Sequence, residues 1–322
     1  MKHRSTAKLL LALTCLSGAA LAQTVGTGDP GNNAPALNPL RVALLKWYPA
    51  NVTTAVGVDF APLGLAFDGE NIWTANQIAS VADKVRASDG AVLGSFPVGE
   101  HPSGVAFDGA NVWVTNSAAN SVTRLRASDG TNLGTFNVGT NPFWLAFDGA
   151  NLWVANSGSN TVTELRASDG STLGTFTVGK SPNGVACDGQ NIWVTNYADN
   201  TITKLRAKDG KTLGTFAVGS APIGVAFDGT YIWVANSTGS SLTKLRASDG
   251  SRVGNFHLPT GPYGIAFDGA YLWVTGSHVL KLRPSDAKVL GQFDTNSPTA
   301  GVAFDGANVW VADFLRDRIT KF

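Results

Sequence analysis

The chain is predicted to be all-β: a seven-bladed β-propeller of four-stranded antiparallel blades, with the last blade closed by an N-terminal strand. Three observations lead there. Tryptophan recurs at residues 73, 113, 153, 193, 233, 273 and 310, with spacings of forty and a last one of thirty-seven. A period of that size marks a unit that buries its apolar face only by stacking on its neighbours. Each unit holds four short apolar runs divided by turn residues. None of these runs is long enough for a helix or shows a 3.6-residue stripe.

In the second unit the runs are GVAF (104–107), VWVT (112–115), SVTRLRA (121–127) and LGTFNV (133–138). Their Val, Leu, Phe, Trp and Thr suit a pleated, half-buried surface. The first break is FDG-x-N, the second N-x-x-x-N and the third SDG, all turn chemistry that favours tight hairpins. Hairpins joining four strands make a meander, and a meander repeated around an axis is a propeller blade. Ankyrin and tetratricopeptide arrays need helices, leucine-rich repeats are shorter, and the Gly-His and Trp-Asp signatures of WD40 units are missing. The seventh unit stops after DRITKF (317–322), one strand short. Residues Thr53 to Asp59 align with the missing strand, Val56 falling where Phe96 sits and Val58 where Val98 sits. Closure of this kind removes two exposed sheet edges.

The stretches WVTN (113–116 and 193–196), WVAN (153–156 and 233–236) and VGTNP (138–142) resemble the YVTN family of β-propeller repeats over residues 53–322. The resemblance implies architecture and says little of activity. Virginiamycin B lyase propellers look similar in architecture, and their active site uses a Glu-x-His element. No Glu-x-His occurs here, since Gly276 and Ser277 precede His278, so the resemblance does not carry lyase activity over.

Residues 1–22 read as a secretory signal peptide: a basic start at Lys2, His3, Arg4 and Lys8, an apolar run from Leu9 to Cys15, and a small-residue site Ala20-Leu21-Ala22. Cleavage between Ala22 and Gln23 predicts a secreted or periplasmic protein. Residues 23–50 form a linker and docking segment, Leu40 to Tyr48 reading as a short helix ended by Pro49. The propeller takes 51–322. No segment is apolar for the length of a membrane span. A net charge of +1 argues against nucleic acid, and a monomer is expected. Thirteen of the twenty aspartates lie in the FDG and SD turns, counting the variant forms at Asp188, Asp209 and Asp286. Arg86, Arg126, Arg166, Arg206, Arg246 and Arg283 recur in the third strand, which predicts turn caps and Arg–Asp pairs around the ring.

Chemistry-bearing motifs are sparse. The histidines after processing are His101, His257 and His278, without metal-ligand spacing, so neither a metal site nor a cofactor is expected. No Gly-x-Ser-x-Gly elbow exists. Cys187 replaces the Phe found at 107, 147 and 227, and reads as a buried core residue rather than a nucleophile.

Positions that break the repeat point to a site. Two loop sets share one face around the axis: Val-Gly-x-x-Pro-x-Gly and Asn-x-x-x-Asn. The residue after Pro varies most, reading Leu63, Ser103, Phe143, Asn183, Ile223, Tyr263 and Thr299, and Trp144 replaces a recurrent Gly. Tyr197, Asp199, Phe314, Leu315 and Arg316 diversify the other set, and the sixth unit loses three residues before His278. Phe143, Trp144, Tyr197, Tyr263, Phe314, Arg316 and His101 are therefore the candidate binding residues for a protein partner or small ligand at one propeller face. An alternative for Phe143 and Trp144 is that they plug the pore. The expected function is a non-catalytic binding or scaffold module. Its rival is a small-molecule lyase or hydrolase at the channel mouth, using Glu100, His101, His278 or Arg316 as acid–base groups.

Overall fold

The computed structural model describes residues 54–322; the signal-peptide reading of 1–22, the linker and docking segment 23–50, and Thr53 of the closing strand lie outside the described residues. The described residues form 28 strands, β1 to β28 in chain order, and no helix. They make seven four-stranded antiparallel sheets, six of them from consecutive strands. In the second blade these are β6 (Pro102–Phe107), β7 (Asn111–Asn116), β8 (Ser121–Arg126) and β9 (Asn132–Asn137), each overlapping one of the four apolar runs.

The seventh sheet closes the ring. Its order is β1 (Thr54–Gly57), β28 (Arg318–Lys321), β27 (Val309–Asp313), β26 (Thr299–Phe304). Val56 pairs with Ile319 as Phe96 pairs with Ala82, and the Val58 amide donates to the Asp317 carbonyl at 2.9 Å. Both alignments made from sequence hold. The same register corrects another: Thr299 pairs with Asp313 as Pro102 pairs with Asn116. Thr299 therefore occupies the proline position, and Ala300 is the seventh blade's variable residue. Pro298 comes one residue early and imitates the motif.

The core lies between blades. Trp113, fully buried, packs with Val122 of its own blade and with Leu145, Leu152, Val154 and Leu165 of the next. Every blade's Trp is also latched to its FDG turn. In the second blade Asp108 Oδ2 accepts from the Trp113 indole at 2.7 Å, while Oδ1 accepts from the Ala110 and Asn111 amides at 2.9 and 2.6 Å. One carboxylate thus satisfies two turn amides and the only polar atom of the largest core side chain, which is why Asp, Gly and Trp keep their spacing. The Arg–Asp pairs are present in six blades, from Arg86–Asp89 to Arg283–Asp286. All are solvent-exposed, so they contribute little to stability.

Cys187 corrects an expectation of full burial. It is half-buried against the blade core, because the whole Phe column sits at a strand end beside the FDG turn; Phe107 and Phe147 are half-buried too.

Candidate functional site

The first strand of each blade lines the axis. Glycines recur there because neighbouring strands nearly touch: a Cβ at Gly64 would sit 2.2 Å from the Ser103 carbonyl oxygen, and one at Gly184 2.2 Å from that of Ile223. Trp144 stands at this position in the third blade. With Leu65, Val105, Leu145, Val185, Val225, Ile265, Val302 and Tyr263 it bounds an axial cavity of about 160 Å³.

The two variable loop sets do share a face. The Ser117 amide at the start of one loop donates to the His101 carbonyl of the other at 2.9 Å, and Asn116 Oδ1 accepts from the Gly99 amide at 3.0 Å. On that face, at the channel mouth, lies a second cavity of about 250 Å³. Leu63, Gln77, Phe143, Tyr263, Pro298, Thr299, Ala300 and Phe314 line it, so its walls come from the first, third, sixth and seventh blades. Phe143 meets Trp144 edge-to-face with ring centroids 6.0 Å apart, linking the two cavities.

Of the candidate residues, Phe143, Tyr263 and Phe314 meet in the mouth cavity, and Tyr263 also reaches the axial one, where Trp144 sits. Tyr197 is 39 % exposed and close enough to Tyr263 to act on its titration. His101 and Arg316 are exposed on the loops and line neither cavity. Glu100 and His278 line neither one; the nearest carboxylate to His278 is Asp294, 4.0 Å away.

The electrostatics of the walls are simple. Among the described residues, Tyr263 is the only ionisable side chain bounding either cavity. Burial pushes its hydroxyl up to about 12, with the Tyr197 phenol adding to the effect, so it stays a neutral hydrogen-bond donor at physiological pH. With Gln77 and Thr299 it gives the mouth cavity three uncharged polar side chains among apolar walls. Among the described residues no cluster of His, Cys, Asp or Glu has metal-binding geometry.

Phe60 and Ile78 were missed from sequence, and Leu315 was noted as a loop variant without being made a binding candidate. Phe60, Ile78 and Leu315 are 62, 70 and 66 % exposed, the most exposed large apolar residues of the described chain. Gln77 and Leu63 were not singled out as ligand contacts either. The signal was available by comparing repeat columns. Phe60 stands where other units carry Glu100, Thr140, Lys180, Ser220 and Thr260. Ile78 and Leu315 share one column, otherwise Ala118, Gly158, Ala198 and Thr238.

No family model matches the chain, and no curated protein matches it. Solved structures do resemble it. Virginiamycin B lyase from Staphylococcus aureus is 20 % identical with a TM-score of 0.73, over 84 % of this chain and 98 % of that one. A streptogramin B lyase is 17 % identical with a TM-score of 0.72, over 84 and 96 %. Hydrazine synthase of Kuenenia stuttgartiensis is 18 % identical with a TM-score of 0.70, over 83 and 97 %. At such identities the likeness is one of fold, and function has to be argued from the site.

Proposed function

We propose that this is an exported propeller of the YVTN-repeat type that acts as a non-catalytic binding module, holding a protein partner or small ligand at the loop face. The basic start and the Ala20-Leu21-Ala22 site support removal of residues 1–22 and a secreted or periplasmic location. The observation that carries the binding reading is the mouth cavity: aromatic rings from three blades around about 250 Å³, with Tyr263 its one ionisable wall. Proton-transfer chemistry needs an acid or base within hydrogen-bond reach of the reacting group. A neutral tyrosine held near 12 is a poor one, which disfavours the lyase and hydrolase alternative. The volume falls below the roughly 300–1,000 Å³ of sites for drug-sized molecules. It suits a group about the size of one aromatic side chain.

The test uses N-phenyl-1-naphthylamine, an uncharged aromatic fluorophore, titrated onto the mature protein. One site per ring is expected, with affinity lost in Phe143→Asn combined with Phe314→Ser. Both substitutions borrow residues that other blades carry in those columns, Asn183 and Ser117, so folding should persist. No enhancement with the wild type, or equal enhancement with the variant, refutes the reading.

A further inference from the structure

The three exposed apolar side chains form one crest. The segment from Val58 to Ala61 lies between the second-to-third-strand loops of the seventh and first blades. The Ala61 amide donates to Asp317 Oδ1 at 2.9 Å, its carbonyl accepts from the Gln77 amide at 2.9 Å, and the Val58 amide donates to the Asp317 carbonyl. Phe60, Ile78 and Leu315 are carried by these three tied segments. Gln77 and Phe314, adjacent in sequence to Ile78 and Leu315, are walls of the mouth cavity. A projecting aromatic and an aromatic-lined hollow of side-chain size therefore sit next to each other on one face.

That pairing decides the occupant. A two-fold contact uses the same patch on both subunits, so it requires a surface complementary to itself. A knob beside a matching hollow meets the requirement. Charge agrees with it: the crest carries Arg316, which makes no ion pair among the described residues, next to Asp317 in sequence, so both signs are present to meet their opposites across the axis. The whole chain carries +1, and without residues 1–22, which hold Lys2, Arg4 and Lys8 and no carboxylate, it carries −2, leaving little net repulsion between copies. An exposed apolar cluster of this kind on an otherwise polar loop face marks an interaction surface.

We propose that the crest and the mouth cavity together form an isologous dimer interface, in which Phe60 of each copy enters the mouth cavity of the other while Ile78 and Leu315 pack around the axis. This rests on the reading of the cavity as a binding site and names its occupant as a second copy of this chain. Any apolar ligand of the cavity then competes with dimerisation.

Sedimentation velocity over a protein-concentration series tests it. The wild type is expected to show a reversible monomer–dimer equilibrium that N-phenyl-1-naphthylamine shifts toward monomer. Phe60→Thr removes the knob and Phe143→Asn alters the hollow; each uses a residue that another blade tolerates, and each should weaken dimerisation about tenfold or more. Mixed together, the two variants should form heterodimers more readily than either forms homodimers, because one intact knob then faces one intact hollow. A wild type that stays monomeric throughout overturns the proposal and leaves the crest to a different partner. A dimer indifferent to Phe60→Thr, or a mixture that fails to complement, overturns it as well. Fluorophore binding by a strictly monomeric protein would sink the dimer while sparing the cavity reading; absence of both would sink the two together.

Discussion

Replacing Glu164 with Lys is expected to stabilise the ring. In six blades this third-strand position is a cation lying over the blade's Trp: Lys84, Arg124, Lys204, Lys244, Lys281 and Lys321, at 4.6 to 5.4 Å from the ring centroid. The cation also bridges blades. Lys84 Nζ donates to the Ala127 and Ser128 carbonyls of the next blade at 2.7 and 3.1 Å, and Lys204 does the same toward Ala247 and Ser248. Only the third blade carries a carboxylate, Glu164, 7 % exposed and bonded to Asn151 Nδ2 at 2.7 Å. Burial pushes its pKa up, against the Asn151 bond, and nearby Asp148 adds to the rise.

Restoring the cation adds a ring contact of ~0.5–2 kcal/mol and charged hydrogen bonds of ~1.5–3 kcal/mol, less ~1.5–2 kcal/mol of Lys side-chain entropy. Lys208, which replaces the Ser88 of the first turn, opposes the new charge. A net gain of roughly 1–2 kcal/mol should raise the melting midpoint by roughly 2–4 °C at neutral pH. Because the folded-state pKa of Glu164 lies above its unfolded value, the folded protein binds more protons across that window, and wild-type stability falls as pH rises through it. Glu164→Gln should therefore outdo the wild type at pH 7 and lose its advantage as pH drops toward the ordinary glutamate range. Calorimetry at several pH values checks both. An unchanged or lowered midpoint for Glu164→Lys would refute the idea that the repeat's cation is an energetic bridge.

Trp144→Gly should fold, since Gly holds that position in the other six blades, and should weaken fluorophore binding about threefold to tenfold by freeing Phe143 from its edge-to-face partner; an unfolded variant would make Trp144 a structural plug. The Cys187 thiol is half-buried and pushed up by burial, so native alkylation at pH 7 should run slower than in denaturant, and equal rates would contradict that. Val56→Asp places a carboxylate in the cluster of Leu65, Ile72, Val85, Trp310 and Ile319. It should cost about 3 kcal/mol or more and expose the β28 edge to aggregation, readable by denaturation and light scattering.

Strands, blade number and closure were legible because repetition averages out local ambiguity: a run such as LGTFNV is uncertain alone and decisive when it recurs with the same turns. Thr299 was misplaced because Pro298 offered the expected residue type, and only pairing with Asp313 fixes the register. Cys187 was placed too deep because a strand-end column looks as apolar as a mid-strand one. The site was half legible. Aromatic substitutions flagged Phe143, Tyr263 and Phe314, whereas their meeting with Gln77 and Leu63 across the axis depends on ring geometry. Phe60 and Ile78 escaped because apolar residues next to strands read as core, and only the loop geometry shows them in water.

The seam beneath the crest departs from the Gly, Asn and Thr frame that four of the blade junctions share. In the second blade the Gly99 amide donates to Asn116 Oδ1, whose Nδ2 donates to Thr123 Oγ1 at 2.9 Å. At the seam Asp59 replaces that Gly and Asp83 replaces that Thr. The Asp59 amide now donates to Asp83 Oδ2 at 2.7 Å, and Ser95 Oγ contacts both carboxylates. One hydroxyl proton cannot serve two ionised acceptors, so the frame favours a further proton on Asp83. Burial, the largest effect on Asp83, pushes its pKa up accordingly, and its contribution to stability fades as pH rises through the raised value. A side chain at residue 59 also has to displace the Asn, since a Cβ at the equivalent Gly99 would sit 2.6 Å from Asn116 Cγ; Asn76 Nδ2 is left buried without a partner. The sixth blade replaces the frame with Pro259, Gly276 and Leu280, and the seventh changes it to Asn296 and Asp313. Only at the seam does the change bring two carboxylates together, Asp59 and Asp83, beneath the loops that carry Phe60 and Ile78, which ties the altered seam to the surface it carries.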